Sequence, residues 1–135
     1  MGAGVSGANV ADNWLKVLSG TTFTAPAGVH IKLHTGNPGS AGTANASVET
    51  ARKQVDWGAG TPSGQILTAS SVPSWTAWPV GADAENIQYI SAWSAGSGGN
   101  FLFSGQLSVA KTVNTNDTLT LSTLTVAINS ASVAS

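Results

Sequence analysis

The stretch VHIKLHTGNPG, residues 29–39, places two histidines four residues apart and ends in a Gly-Asn-Pro-Gly turn. On a helix, His30 and His34 would share one face and could bind a single metal ion. On a strand they also share a face, but at roughly 3.3 Å per residue their side chains stand about 13 Å apart, which is too far for one ion. The secondary structure of this stretch therefore decides whether it is a metal site.

The alternation of side chains in this stretch is typical of a strand. Aliphatic residues occupy the odd positions from Val29 to Leu33, while the histidines and a lysine occupy the even ones. Turn-forming sequences flank the run, FTAPAG before it and TGNPG after it. We therefore predict a strand and no metal site. His30 and His34 should face solvent or a partner subunit, and His30, deeper in the strand, is a candidate interface residue.

The composition predicts one domain whose surface carries few charges. The chain has 135 residues, of which 8% are charged, against about 25% in an ordinary soluble protein. The net charge is −1 and the basic residues are scattered, which argues against a nucleic-acid partner. With few lysines or glutamates to guard strand edges, the surface suits either a hydroxyl-rich free domain or a subunit covered by its neighbours.

The sequence lacks the signals of several other classes of protein. Without cysteine, neither a disulfide nor a thiolate metal site can form. No apolar run approaches the length of a membrane span, and the N-terminus lacks the basic and apolar regions of a secretory signal. The glycines of residues 2–7 match a dinucleotide-binding fingerprint, but no strand precedes them, so we expect no cofactor.

One helix is predicted, over residues 9–19. Its apolar stripe runs from Val10 through Trp14 to Leu18 and should lie against a sheet or a partner subunit, with Trp14 as its anchor. The glycine-rich residues 1–8 before it are expected to form a flexible arm with few side chains to bury.

After the helix, apolar residues repeat with a period of two, which predicts about seven or eight short strands. The clearest pair is a hairpin of residues 86–93 and 101–107, joined by a turn at 95–100. Near the C-terminus the apolar positions change from odd, at Leu121, to even, at Leu124, which predicts a β-bulge. We expect an all-β fold, an antiparallel β-sandwich with one short N-terminal helix.

The predicted organisation has three parts. Residues 1–8 form the arm, residues 9–129 form a single β-sandwich domain, and residues 130–135 form a C-terminal tail. We assign no catalytic residue, since the nucleophile motif of α/β-hydrolases is absent. Asp83 and Glu85 could form a glycosidase-like pair or a calcium site, but a solvated turn is the simpler interpretation.

Five tryptophans remain as candidates for function, and three of them fall on the inward side of their periodic segments. Trp75 and Trp78 are three residues apart and cannot both face one side of a regular strand, so at least one should be free to bind. An aromatic platform could stack on a sugar, although a partner subunit is the simpler occupant. We take Trp75, Trp78 and His30 as candidate interface residues.

A family resemblance extends over four stretches, NWLKVLSGTTFTAPAGVHIKLHTGNPGSAGTAN (13–45), VDWGA (55–59), IQYISAWSAGSGGNFLFSGQL (87–107) and TVNTNDTLTLSTLTVAI (112–128). These stretches resemble small virion proteins of tailed bacteriophages, described as tail-fibre-like, minor structural or head-decoration proteins. The resemblance covers nearly the whole chain. It implies a component of the phage particle and not a catalyst, and it supplies no catalytic residue.

Composition and resemblance together predict a non-enzymatic virion protein assembled in the cytoplasm of a bacterial host. We expect a capsid decoration subunit that stabilises or decorates the head. The alternatives are a tail or fibre component of the virion and, from another class, a carbohydrate-binding β-sandwich module. The expected partners are copies of itself, as a trimer, and other virion proteins such as the major capsid protein. A surface glycan is a further candidate, whereas nucleic acid and membrane are not.

Overall fold

Three antiparallel sheets share one apolar core in the computed structural model, which describes residues 4–79, 81 and 83–127. The main sheet has the strand order β2-β1-β5-β6, and two small sheets pair β3 with β8 and β4 with β7. A mostly β protein with one N-terminal helix is therefore confirmed. In chain order the elements are a π-helical turn (Gly7–Ala11), α1 (Asp12–Leu18), β1 (Val29–His34), β2 (Lys53–Val55), β3 (Ile66–Thr68), β4 (Ser74–Trp75), β5 (Glu85–Trp93), β6 (Phe101–Val113), β7 (Leu119–Thr120) and β8 (Thr125–Ala127).

The core lies on one face of the main sheet and collects side chains from the main sheet, from the β4–β7 sheet and from segments beside the β3–β8 sheet. Ile31 and Leu33 of β1 are fully buried in it, as the alternation of the sequence predicts. Burial of large apolar side chains is the main favourable term in folding, at about 1.5–3 kcal/mol for each. The buried cluster consists of Val10, Ile31, Leu33, Val55, Trp75, Trp78, Ile87, Ile90, Ala92, Leu102, Val113, Leu119, Leu121 and Leu124.

β5 and β6 form the predicted hairpin, with Trp93 paired to Phe101 beside the turn. Ser94 and Asn100 close the turn, because the backbone N–H of each donates to the other residue, at 3.0 and 2.8 Å. Gly98 and Gly99 both have positive φ, 61° and 70°, a conformation that residues with a Cβ rarely adopt. The glycine-rich sequence of the turn is thus required by its backbone geometry.

The same pair of strands contains a large bulge that the sequence did not predict. Ile87 pairs with Lys111, whereas Tyr89 pairs with Gln106. Four residues of β6, 107–110, therefore lie opposite the single residue between Ile87 and Tyr89. A bulge of this kind bends the strand and turns side chains away from the sheet, and Val109 within it is 76% exposed.

Near the C-terminus, the change of apolar residues from odd to even positions has a different cause from the predicted β-bulge. β7 pairs with β4 in one small sheet, while β8 pairs with β3 in the other. Leu121 and Leu124, which lie between these two strands, are both buried. The prediction of a β-bulge in one strand is wrong, because the chain here passes from one sheet to another and restarts its alternation.

The N-terminal arm is paired with the sheet from residue 4 onward. Ser6 N–H donates to Leu102 O at 2.6 Å, Ser104 N–H donates to Gly4 O at 2.8 Å, and Val5 forms an antiparallel bridge with the same edge of β6. Residues 4–6 therefore do not form the free arm that we expected. Residues 7 and 8 of the predicted arm begin the π-helical turn. Residues 1–3 of the arm and the predicted tail, residues 130–135, lie outside the described residues.

The helix begins earlier than predicted and is packed less. Its first turn is π-helical, capped where Asn9 N–H donates to Ser6 Oγ at 3.3 Å, and Val10 is its one buried side chain. Trp14 is 40% exposed and no residue of α1 is buried. The expectation that Trp14 packs against the sheet as a core anchor is wrong, because its ring is exposed and is not part of the buried cluster. No helix in the described part of the chain is long and apolar enough to span a membrane.

Candidate functional site

β1 carries both histidines on the face of the main sheet that points away from the core. His30 is paired with Trp93 and His34 with Tyr89, both on the neighbouring strand β5. The strand geometry keeps the two imidazoles too far apart for one ion. Among the described residues, no three His, Cys, Asp or Glu side chains lie close enough together to hold a metal.

His34 is fully buried, so the expectation that it faces solvent is wrong. Its Nδ1 lies 2.8 Å from Ala44 O, and its Nε2 lies 2.7 Å from Ser91 Oγ. A carbonyl oxygen can only accept, so Nδ1 donates and, in the neutral ring, Nε2 accepts from the Ser91 hydroxyl. Trp93 Nε1–H donates to the same hydroxyl oxygen at 2.8 Å. These contacts form a continuous chain of hydrogen bonds from Trp93 through Ser91 and His34 to Ala44.

The environment of His34 favours its neutral form. Burial lowers the pKa of His34 below its usual value, and the positive charge of Lys32 lowers it further, while the backbone carbonyls of Ala44 and Asn45 act in the opposite direction. A protonated ring would also direct a second N–H at the Ser91 hydroxyl, which would then have to give up its own donation. The hydrogen-bond network and the lowered pKa of His34 therefore both favour the neutral imidazole.

A serine beside a histidine can be a catalytic pair, but Ser91 and His34 are not arranged for catalysis. Both side chains are fully buried, so a substrate cannot reach the hydroxyl. Nδ1 of His34 also faces a backbone carbonyl, where a catalytic triad places a carboxylate that stabilises the imidazolium. The pair is part of the structure of the sheet.

The segment that buries His34 is residues 35–47, here called the covering loop. Thr35 N–H donates to Asn45 O at 2.9 Å and closes the loop on itself, and Ser47 N–H donates to Leu33 O at 3.1 Å, which fastens the far end of the loop to β1. Pro38 is fully buried, and a Cβ on Gly42 would clash with the ring of Phe101. The loop therefore packs directly on the face that the sequence predicted to be exposed.

The other end of this face is held by Arg52. Its guanidinium lies 3.9 Å from the ring centroid of Trp93, a cation–π contact, and donates hydrogen bonds to Ala95 O and Gly98 O. His30, which is paired with Trp93, is half-buried, and its buried Nδ1 atom has no hydrogen-bond partner in the part of the chain that the structure describes. Arg52 thus fastens the β5–β6 turn to the sheet, and an interface role for His30 stays a prediction.

Trp75 and Trp78 are the largest fully buried side chains among the described residues, at 0 and 1% exposure. Trp75 Nε1–H donates to Ala51 O at 2.8 Å. Both rings reach the core because the chain does not continue as a strand, since Ala77 takes a positive φ of 54° and turns the backbone between them. The expectation that one of them is free to bind a partner or a sugar is wrong.

Asp83 and Glu85 do not form a pair. Glu85 accepts hydrogen bonds from Ser47 Oγ at 2.9 Å and from Trp78 Nε1 at 3.2 Å. Asp83 accepts from the backbone N–H and the hydroxyl of Thr115, and these bonds lower the pKa of Asp83. Each carboxylate is fastened to its own partners, which supports the interpretation of this segment as a turn.

A wide groove of about 870 Å³ runs between β6 and residues 118–127. Hydroxyl and apolar side chains line it, and Lys111 is the one ionisable side chain among the described residues of its wall. General acid–base catalysis needs a positioned acidic or basic side chain, and the described wall offers a single lysine at an exposed edge with no ionisable neighbour in the groove to orient it. We assign no catalytic role to this groove.

A second surface is apolar and lies at the N-terminal end of the molecule. Five apolar side chains on α1 and the segment after it are between 38 and 85% exposed. Beside them is an apolar cavity of about 190 Å³, whose polar lining in the described chain is limited to Asn9 and Asn13. The sequence showed the apolar stripe of the helix but not the cavity, which is assembled from distant segments. The five side chains, here called the α1 patch, are Trp14, Leu15, Val17, Leu18 and Phe23.

Comparison with protein families gives a match over residues 7–129, to the family described as podophage GP4 fiber I protein gp80. No curated protein matches the chain. The family description favours the fibre alternative over the capsid decoration subunit that we expected from the sequence, and it implies association with other virion proteins. Since the match spans nearly the whole chain, the protein belongs to the podophage GP4 fiber I protein gp80 family, a family of structural fibre proteins of the virion and not of enzymes.

Proposed function

We propose that the protein is a subunit of a phage tail fibre. The observation that carries this proposal is the match of a fibre family to residues 7–129. The polar groups on the face of the main sheet that points away from the core also support it. Ser91 and His34 are engaged in internal hydrogen bonds and are not presented to a substrate. The low charge of the chain also suits close contact between protein subunits, where charged residues are depleted.

We also propose that residues 9–129 form a single two-layered β-sandwich. In this arrangement the main sheet is one layer and the two small sheets together are the other. The support is a core that joins Val10, Ile31, Trp75 and Leu124, which come from the helical turn, the main sheet and the segments around the small sheets. Limited proteolysis should leave one resistant fragment of about this length, and separate fragments would contradict a single domain.

The location can be tested by labelling purified virions with gold-conjugated antibodies against this chain. A fibre subunit should place the label on tail appendages. Label spread evenly over the head would instead support the capsid decoration subunit and contradict the proposal.

A phage from which the gene for this chain is deleted distinguishes a fibre subunit from a capsid decoration subunit. Loss of a fibre subunit should leave heads as resistant to heat and dilution as those of the parent, but should reduce adsorption to the host. Loss of a decoration subunit should weaken the heads and leave adsorption unchanged. Expression of the chain in trans should restore adsorption, which controls for effects on neighbouring genes.

A further inference from the structure

The N-terminal helix lacks the packing that would hold it in place. α1 has seven residues, and isolated helices shorter than about 12–15 residues are marginal in water. None of its residues is buried, and residues 14–27 are exposed throughout. Leu15 and Leu18, at 62 and 85%, are among the most exposed large apolar side chains of the described chain. α1 is therefore attached to this copy only through the π-helical turn before it, and its own side chains are free for contacts with another molecule.

The apolar cavity beside the α1 patch has the complementary shape and chemistry. Its wall includes Val10, Phe23, Trp57, Leu67 and Phe103. At about 190 Å³ it is smaller than small-molecule sites, which occupy about 300–1,000 Å³, but aliphatic side chains can enter it. No ionisable side chain lines it among the described residues, so its occupant must present an uncharged surface. Leu15 and Leu18 form such a surface.

We propose that α1 of one copy inserts Leu15 and Leu18 into the apolar cavity of a second copy of this chain. The second copy is the occupant because one chain carries both halves of the contact, and Leu15 and Leu18 match the cavity in apolar character. The two charged residues of α1, Asp12 and Lys16, would have to stay outside the cavity. Trp14 and Phe23 belong to both the patch and the cavity wall, but Leu15 and Leu18 lie outside the wall, so a contact made in one direction generates either a closed ring or an open filament. Both arrangements suit the fibre role, on which this proposal rests.

The size of the surface is consistent with a specific contact. Taken at ordinary side-chain areas, the α1 patch exposes on the order of 500 Å². A standard interface buries about 800 Å² on each partner, and the exposed backbone and threonines of residues 19–24 extend the patch toward that area. A contact of this kind gives concentration-dependent association, with stability that rises as copies assemble.

The first test measures the mass of the purified chain by light scattering and sedimentation over a range of concentrations. Wild type should associate, and Leu18→Asp should weaken the association by about tenfold or more, as expected for a central contact residue. The matched control is Val109→Asp, since Val109 is similarly exposed but lies in the β6 bulge. It should associate like wild type, and the melting temperatures of both dilute variants should remain unchanged.

Three outcomes of this test would overturn the proposal. They are a wild-type chain that stays monomeric at all concentrations, a Leu18→Asp variant that associates like wild type, and a loss of association with Val109→Asp alone. The last result would assign the contact to the edge of β6. A monomeric wild type found on tail fibres in labelled virions would overturn the contact and leave the proposed function in place.

The second test uses the absence of cysteine from the chain. One preparation carries Leu18→Cys and another carries Leu67→Cys in the cavity wall, and the two are treated with a short bis-maleimide, separately and mixed. A head-to-tail contact predicts crosslinked dimers in the mixture and not in either preparation alone. Crosslinking of the Leu18→Cys chain by itself to the same extent, or none in the mixture, would contradict the proposed geometry.

Discussion

Two surfaces of the protein lie outside the core, and they are completed in different ways. On the second face of the main sheet, the covering loop buries His34 and supplies Ala44 O to its Nδ1, while Ser91 on β5 is the partner of its Nε2. On α1, the side chains from Trp14 to Leu18 remain exposed. The first surface is finished within the chain, whereas the second needs another molecule. A polar group that is buried must find its partner during folding, because leaving it unpaired is costly. An exposed apolar side chain carries no such penalty and can be buried later, when copies of the chain assemble.

The largest effect is expected in the core. Trp75→Ala should lower the free energy of unfolding by about 3–5 kcal/mol, because it removes a large buried ring and leaves a cavity. Urea unfolding of dilute protein measures the loss. Trp75→Phe keeps part of the volume and should cost less. A loss below about 1 kcal/mol for the alanine variant would contradict the burial of Trp75.

His34→Ala should come next, at about 2–4 kcal/mol, because it leaves the Ser91 hydroxyl and Ala44 O without their buried partner and opens a cavity. Lys32→Ala, two residues away on the same face of β1 but half-exposed, is the matched control. Its cost should stay below about 0.5 kcal/mol. Equal costs for the two variants would show that the covering loop does not bury His34 in solution.

Acid should destabilise the protein through His34. Its pKa is lowered in the folded state, so between that pKa and the ordinary value of 6.5 the unfolded chain binds the proton more readily. The stabilisation is therefore complete above about pH 6.5 and is lost as the pH falls through the folded pKa. Asp83, whose pKa is also lowered, loses its contribution only in stronger acid.

Urea unfolding at pH 7.5 and 5.5 should thus show a loss of stability in wild type and a smaller loss in His34→Gln, which cannot be protonated. The same pH dependence in both proteins would assign the effect to another group.

Trp14→Ala tests the exposed surface of α1 in the same way. In dilute monomer it should cost no more than about 1 kcal/mol, because the ring is 40% exposed and lies outside the buried cluster. At high concentration the same variant should melt below wild type, since Trp14 belongs to the proposed contact. Melting curves at several concentrations measure both, and a cost near that of Trp75→Ala in dilute protein would show that Trp14 is part of the core.

The smallest effect is expected at His30. His30→Ala should change the stability of the dilute chain by less than about 0.5 kcal/mol, because the half-buried ring leaves no partner unpaired in the described structure. If His30 instead contacts a partner subunit, the loss should appear only as the protein concentration rises. Sedimentation of His30→Ala and Trp14→Ala under the same conditions compares the contributions of the two side chains to self-association.

Local features of the sequence were sufficient for the strands, the hairpin and the helix. Alternation over Val29–Leu33 follows from strand geometry, and the turn at residues 95–100 follows from its glycines, so both are encoded in a few neighbouring residues. The absence of a signal for catalysis and the resemblance to virion proteins were also readable, and the family match agrees with them.

Tertiary structure alone decided which residues are buried on the second face and which partners the last strands take. The covering loop buries His34 through contacts with residues far along the chain, and period-two alternation carries no information on what covers a face. Trp75 and Trp78 share the core because Ala77 adopts a positive φ, which tertiary packing can impose but an alanine does not signal. The apolar cavity beside α1 is likewise assembled from side chains such as Val10, Leu67 and Phe103, which only the fold brings together.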